Sequence, residues 1–490
     1  MTRKQIPAQG QDHDALIEEM QALRVDDADY MGGRTWSMVY WAGEDHHHVV
    51  ERAHSLFLAE NALNPLAFKS LKQMEVDVVQ MSASMLNGPP STCGTMTSGG
   101  TESLLLAVKA MRDRARAKRP WILRPNLVVP ETIHVAFDKA AHYFGVKLLK
   151  APILDNGQVD VAAMRRRIGR NTIGLAASAP QYPHGTVDPI PELGALAQEK
   201  GLPFHVDACF GGFILPWLER IGVSMPTWDF RVPGVTSVSA DIHKFGYAAK
   251  GASVLLYRDM SLMRHQFFAA TGWSGGIYIS PTMAGTRPGG PIAAAWAAMQ
   301  AMGEEGYVER ARMAWEAAER LREGFAGIPG IEVLGMPHSP IVSYTSSEVD
   351  IYAVADVLQE KGWSLDRQQR PPSVHCTVGS ANLPVIDTYL ADVREAVEHV
   401  RAHPELSKEG GAAVYGLMAR VPVQGLVKRE VIKLMESMYG PDAGAEVDLG
   451  GDEDDPMRQF MDRHGDRIFA ALDAVKESPV GRLARRLARR

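Results

Sequence analysis

At 490 residues the chain is too long for one ordinary hydrophobic core, and 46% hydrophobic with 22% charged residues is the balance of a folded soluble protein, which excludes disorder or a coiled coil as the main architecture. A formal net charge of −6 gives no general attraction to nucleic acid or to an anionic membrane, so any phosphate affinity must be local. Three cysteines, Cys93, Cys209 and Cys376, are too few and too scattered for a disulfide framework or a zinc site and fit a reducing compartment.

The polar start, "MTRKQIPAQGQDHD", carries no apolar leader, and no later stretch approaches the roughly eighteen apolar residues a membrane span requires, so a cytoplasmic protein is expected. Residues 1–65 read as a helical, polar segment with an aromatic island, "RTWSMVYWAGED". The run His46, His47, His48 would send three imidazoles in different directions from a helix, which fits a solvated surface and no metal site. Over 66–300, stretches of helical period alternate with short β-branched runs, the pattern of a large α/β domain. "PLAFKSLKQMEVDVVQMSASML" repeats apolar residues at spacings of three and four, while "NLVVPE", "TIGLAASAP", "PFHVDACFGG", "VTSVSAD" and "ASVLLYRD" read as buried strands ending in small or polar residues. Such strand ends are where ligands bind in open α/β sheets. Residues 301–440 read as a smaller C-terminal α+β domain, with strands near "IEVLGM" and "IVSYTS" and helices at "IYAVADVLQEKG" and "PVIDTYLADVREAVEHVRAH". The tail, 441–490, holds "GGDEDDPM" and "GRLARRLARR" and reads as a solvated or partner-contacting helix.

Four stretches carry chemistry. In "TSGGTESLLLAVKAMRDRARAK" two glycines precede a helix, an arrangement that suits either a phosphate held on free N–H groups or a plain cap made by Ser98 or Thr101. In "PFHVDACFGG" Asp207 ends an apolar strand, where it either caps a turn or meets a cation such as a protonated pyridine nitrogen. In "SVSADIHKFGY" Lys244 ends a buried run, where desolvation would keep an amine partly neutral and ready to bond an aldehyde, and His243 beside it can donate to a phosphate. In "ETIHVAFDKAA" His134 is either a structural residue or an imidazole laid on a flat ring. Phosphate loop, histidine, aspartate and a lysine 37 positions after the aspartate are together the parts that pyridoxal 5′-phosphate requires. Cys209, two positions past Asp207, reads as a small packing residue.

These stretches, with "NGPPSTCGTMTSGGTES", "SAPQYPHGTVDPI" and "GGIYISPTMAGTRPGG", resemble the group II decarboxylase superfamily of fold-type I pyridoxal-phosphate enzymes, and within it the sphingosine-1-phosphate lyase family, over residues 34–440. Asp241-Ile242-His243-Lys244 stands where the amino-acid decarboxylases favour Asn-Pro-His-Lys. The resemblance implies an α/β fold, a fold-type I transferase with a mostly parallel seven-stranded sheet in the large domain. It also implies a soluble bacterial-type member, because the membrane anchor of the eukaryotic lyases has no counterpart here. The implied roles are Lys244 on the cofactor aldehyde, Asp207 on the ring nitrogen and His134 on the ring face. Gly100, Thr101, Ser237 and His243 are implied for the cofactor phosphate, and Thr286 for a contact from the partner subunit of a homodimer. Lys250 and Tyr40 are implied for the substrate's own phosphate. Asn64 occupies the place of a family histidine in an Asn-Pro-Leu-His-Pro stretch; it can donate a hydrogen bond but carries no charge, and charge-assisted bonds are roughly twice as strong. The implied reaction is retro-aldol cleavage of a phosphorylated long-chain amino alcohol to an aldehyde and phosphoethanolamine, with Tyr182 and Lys244 among the groups able to handle protons. The alternative is α-decarboxylation of an aromatic or acidic amino acid, and the bond held perpendicular to the ring decides between them. The joint presence of Lys244, Asp207 and His134 opposes a binding protein without catalysis.

Overall fold

The computed structural model describes residues 5–441, except 409, 413, 414 and 417–423, so nearly all of the expected tail lies outside the described residues. The N-terminal segment contributes α1 (His13–Ala22), capped by Asp12, whose side chain accepts from Asp14 N and Ala15 N, and α2 (Glu44–Leu56). The large domain follows in the order α3 (Lys69–Met85), β1 (Cys93–Thr97), α4 (Gly100–Lys118), β2 (Asn126–Pro130), α5 (Ala136–Phe144), β3 (Lys147–Ala151), α6 (Val161–Arg167), β4 (Thr172–Ser178), α7 (Ile190–Lys200) and β5 (Phe204–Asp207). It continues with α8 (Leu215–Arg220), β6 (Ser237–Ala240), β7 (Ser253–Tyr257), α9 (Met260–Met263) and a ribbon of β8 (Phe268–Trp273) and β9 (Gly276–Ser280).

Seven of these strands form one sheet in the order β1-β7-β6-β5-β4-β2-β3. β7 runs antiparallel to both neighbours, and the pairings from β6 through to β3 are parallel. The mostly parallel sheet is as expected. Its central strands are buried on both faces because helices cover both: Leu127 and Val129 of β2 pack with α4 and α5, while Val128 between them joins the core on the opposite side. β1 and β3 escape the sequence pattern for physical reasons. β1, "CGTMT", is short and built on Thr and Gly, and β3, "KLLKA", is an edge strand guarded by two lysines.

α10 (Gly289–Ala326) runs from the large domain into the small one and bends at Gly303, whose φ of 57° breaks the helix. The expected boundary at residue 300 therefore falls inside α10, close to its kink. The small domain has β10 (Ile331–Leu334), β11 (Ile341–Ser346), α11 (Ile351–Glu360), β12 (Asp366–Gln369), β13 (Pro372–Thr377) and α12 (Ile386–Ala402), followed by α13 (Gln424–Tyr439). Its antiparallel sheet has four strands, β10-β11-β13-β12, where the sequence pattern suggested two. β12 reads "DRQQ", a polar edge strand with no apolar alternation to announce it.

Two features bind the domains together. Residues 33–36 are stitched to the small domain: Asn382 Nδ2 donates to Gly33 O at 2.8 Å, Thr377 N to Trp36 O at 2.6 Å, and the buried Trp36 ring stacks with Trp363 at 5.8 Å. The loop after β4 meets the small sheet through backbone groups, with Ser343 Oγ and Gln368 Nε2 donating to Pro183 O at 2.6 and 2.9 Å and Ser339 Oγ donating to Gly185 O at 2.9 Å.

Candidate active site

The C-terminal ends of β5 and β6 and the N-terminus of α4 converge on a cavity of about 350 Å³. Gly100, Thr101, His134, His243 and Lys244 line it, together with Cys209 and Asp241. The first-turn N–H groups of α4 have no acceptor within the helix, so they are free for an anion at this end. Gly100 is needed for close approach, since a Cβ there would stand 2.8 Å from both Asp241 Oδ2 and Cys209 Sγ. His243 Nδ1 is buried without a partner. A bare helix N-terminus, an orphaned imidazole nitrogen and a side-chain-free corner fit a phosphate-bearing cofactor that bonds Lys244.

Asp207 closes the wall behind Cys209: its Oδ1 accepts from Cys209 N at 3.1 Å and from Ser239 Oγ at 3.5 Å, and the residue is only 6% exposed. Below it His205 is wholly buried, with Nδ1 on Ser237 Oγ at 2.9 Å and Nε2 on Ser239 Oγ at 3.2 Å. Burial pulls His205 down to about 4 against the pull of Asp207, so it is neutral at physiological pH. Ser237 thus departs from its expected place on the phosphate. It pairs with His205 at the start of β6, two residues below the level of Asp207, is fully buried and is absent from the cavity lining.

Lys244 Nζ lies 3.0 Å from Asp241 Oδ2. Burial opposes its charge, as the position at the end of a buried run suggests, but Asp241, Tyr40 and Cys209 outweigh burial and hold the ammonium above the usual lysine range. The expected partly neutral amine is therefore not the state of the cofactor-free site, and the reason is Asp241, which sequence reasoning passed over. The only signal was its position three residues before the lysine.

His134 Nδ1 accepts from Ala136 N at 3.2 Å at the start of α5, which fixes the ring. Tyr182 meets it edge-on at 6.5 Å and stacks on His375 at 4.2 Å. The Tyr182 hydroxyl donates to Asp366 Oδ2 at 2.9 Å, and burial together with this carboxylate pushes its ionisation up. Asp366 and His375, on β12 and β13, bring the small domain to the site; neither was singled out from sequence because those strands carried no pattern.

Lys250 and Tyr40, the pair expected to face the substrate, lie beside this cavity. Lys250 Nζ stands over the Tyr40 ring at 5.3 Å from its centroid and donates to Met38 O. Burial and the charge of Lys244 lower its pKa. Tyr40 packs edge-on to Phe245 at 4.9 Å, and burial raises its pKa while nearby Lys244 opposes. A second cavity of about 520 Å³ includes Tyr40, Lys250 and His243 in its wall, along with His46. His46 is half-buried with Nε2 3.0 Å from Tyr247 O, so the histidine run is only partly solvated. No metal-binding cluster occurs among the described residues. Asn64 and Thr286 are exposed and line neither cavity; Asn64 Oδ1 instead accepts from Leu66 N at 2.9 Å within its own turn.

A family profile described as "Pyridoxal-dependent decarboxylase conserved domain" matches residues 39–346. The chain is 44% identical to a sphingosine-1-phosphate lyase of Arabidopsis thaliana over 86% of this chain and 79% of that protein. It is 41% identical to sphingosine-1-phosphate lyase 1 of Rattus norvegicus over 90% and 78%. Among solved structures, the sphingosine-1-phosphate lyase of Burkholderia pseudomallei superposes with a TM-score of 0.80 at 38% identity, covering 89% of this chain and 97% of that one. Glutamate decarboxylase of Lactobacillus brevis, at 20% identity and a TM-score of 0.72, shares the fold. Conserved domain, fold and near relatives agree: the chain is a pyridoxal-phosphate-dependent lyase that belongs to the pyridoxal-dependent decarboxylase family, in its sphingosine-1-phosphate lyase branch.

Proposed function

We propose that the chain cleaves a phosphorylated long-chain amino alcohol between its amine-bearing and hydroxyl-bearing carbons, releasing a long-chain aldehyde and phosphoethanolamine. When bound, pyridoxal phosphate supplies an aldehyde that bonds the substrate amine and a ring that accepts the electron pair of the broken bond. Lys244 Nζ holds the cofactor between turnovers. Asp207 would hold the ring nitrogen, His134 would serve the ring, and Gly100, Thr101 and His243 would hold the cofactor phosphate. Ser237 acts from below, steadying His205 under Asp207.

Lys250 and Tyr40 bind the substrate phosphate. The observation that carries this reading is the Lys250 ammonium, set over the Tyr40 ring and making no ion pair among the described residues. Tyr182 is held protonated by burial and by Asp366, and its one hydroxyl proton lies on Asp366, so it would donate to the substrate oxygen only by exchanging that bond. The proton of the substrate hydroxyl is then left to the substrate phosphate, because the Lys244 ammonium paired with Asp241 has no lone pair to receive it.

The division into 1–65, 66–300, 301–440 and 441–490 is retained as a functional one. The working unit is a homodimer in the cytoplasm. The ribbon β8–β9 exposes Phe268, Trp273, Ile277 and Ile279, an apolar surface suited to a second copy, and Asn64 and Thr286 face outward where that copy would use them. No helix of the described residues is long and apolar enough to cross a membrane. Incubation of the cofactor-loaded protein with sphingosine 1-phosphate and a panel of amino acids tests the reaction. A long-chain aldehyde is expected; carbon dioxide from an amino acid would overturn the proposal in favour of decarboxylation.

A further inference from the structure

Asp241 is a buried carboxylate, 3% exposed, that the reaction described above does not use. Its Oδ1 accepts from Ser253 Oγ at 2.7 Å, and Oδ2 faces Lys244 Nζ at 3.0 Å and His243 Nε2 at 3.7 Å. Ser253 is locked in turn by a buried hydroxyl chain, Ser253 Oγ to Ser103 Oγ at 3.1 Å and Ser103 Oγ to Thr97 Oγ1 at 2.7 Å, which ties β7 and α4 to β1 at the rim of the glycine loop. One oxygen is thus fixed by the scaffold and the other is presented to the lysine.

We propose that Asp241 is the positioning residue that receives the Lys244 ammonium whenever Nζ is released from the cofactor, and holds it within reach for its return. Release has a definite balance. When a substrate amine displaces it, Nζ would exchange its bond to the aldehyde carbon for protons that the substrate nitrogen gives up as it takes that bond, and so would leave as an ammonium. The departing group is a cation inside a buried site, and only a charged acceptor at contact distance offsets its lost hydration. The charged and titratable groups facing Asp241 are Lys244 and His243 on its own loop, Cys209 after β5, Tyr40 of the N-terminal segment, and Lys250. Lys244 and His243 overcome burial and keep the Asp241 carboxylate below its ordinary range, so it stays ionised throughout the working pH.

The inference rests on Lys244 being the cofactor lysine, which borohydride trapping on wild-type protein checks separately: an adduct on another residue sinks that reading. For the inference itself, competitive acylation with acetic anhydride is followed on the full-length, cofactor-free chain by mass spectrometry, with exposed Lys118 as the internal reference. Asp241→Asn should accelerate acylation of Lys244 at pH 8 by about tenfold or more, one pKa unit being a factor of ten. Ser253→Ala, which removes the charge-assisted hydrogen bond that fixes Oδ1 but keeps the carboxylate, should accelerate it less, by about two- to threefold, because the carboxylate is loosened and not removed. In the cofactor-loaded enzyme both variants should lose kcat with little change in KM. A merely structural aspartate would leave Lys244 acylating at the wild-type rate relative to Lys118, and that result overturns the proposal. If Asp241→Asn fails to fold, an unchanged rate in Ser253→Ala overturns it alone.

Discussion

The cofactor cradle and the edge proposed to face the substrate are built in opposite ways. In the cradle the functional groups are locked by neighbours: Asp207 by Cys209 N and Ser239, Asp241 by Ser253, and His134 by the start of α5. At the edge, Lys250 rests on a ring and a carbonyl, Asn64 bonds only its own turn, and Thr286 lies open. The cradle sits on strand ends, where the sheet fixes it. The edge sits on loops, which can change without disturbing the sheet.

That contrast is open to attack from either side. The largest effect belongs to the cradle: Lys244→Ala should lower kcat by roughly a thousandfold or more and abolish borohydride-trapped cofactor, as loss of a covalent catalyst does. Next comes acid stability. His205, beneath the cradle, has its folded pKa depressed from 6.5 to about 4, so its contribution is fully present above pH 6.5 and is lost as pH falls toward 4. Denaturant titrations should show about 2–3 kcal/mol lost over that window, and His205→Gln should flatten the acid slope. A wild-type slope in His205→Gln would show that the cradle is not sensitive to this proton.

Edge changes should act on binding alone. Lys250→Ala should raise KM for a phosphorylated substrate by about 10- to 100-fold, the worth of a hydrogen bond to a charged group, with the cofactor spectrum intact. Unchanged KM would remove the phosphate-grip assignment. The smallest effect is a gain: Asn64→His should lower KM for the same substrate by about two- to fivefold at pH 6 and less at pH 8, because only the protonated imidazole adds charge.

The same contrast explains what could be read from the sequence. Buried strands such as "TIGLAASAP" and "PFHVDACFGG" announce themselves because both faces are apolar, and Asp207 stands out as a carboxylate at the end of one. Asp366 and His375 carry no such mark: they lie on a polar edge strand and its partner, and reach Tyr182 only through domain packing. Asp241 was visible as a residue, but its pairing with Lys244 is a fact of three dimensions. Ser237 shows the converse error, for a serine in the right motif turned out to sit two residues too deep.

The stitching of residues 33–36 onto the small domain reaches beyond stability. Four residues past Trp36, the same segment, bent at Met38, delivers Tyr40 against Phe245 of the lysine loop. It is a tether with one end in each lobe, so any rocking of the smaller lobe would pull on the aromatic proposed to meet the ligand. Loosening the Trp36–Trp363 stack would then weaken ligand affinity from a distance, and variants selected for new chain lengths have a reason to collect there.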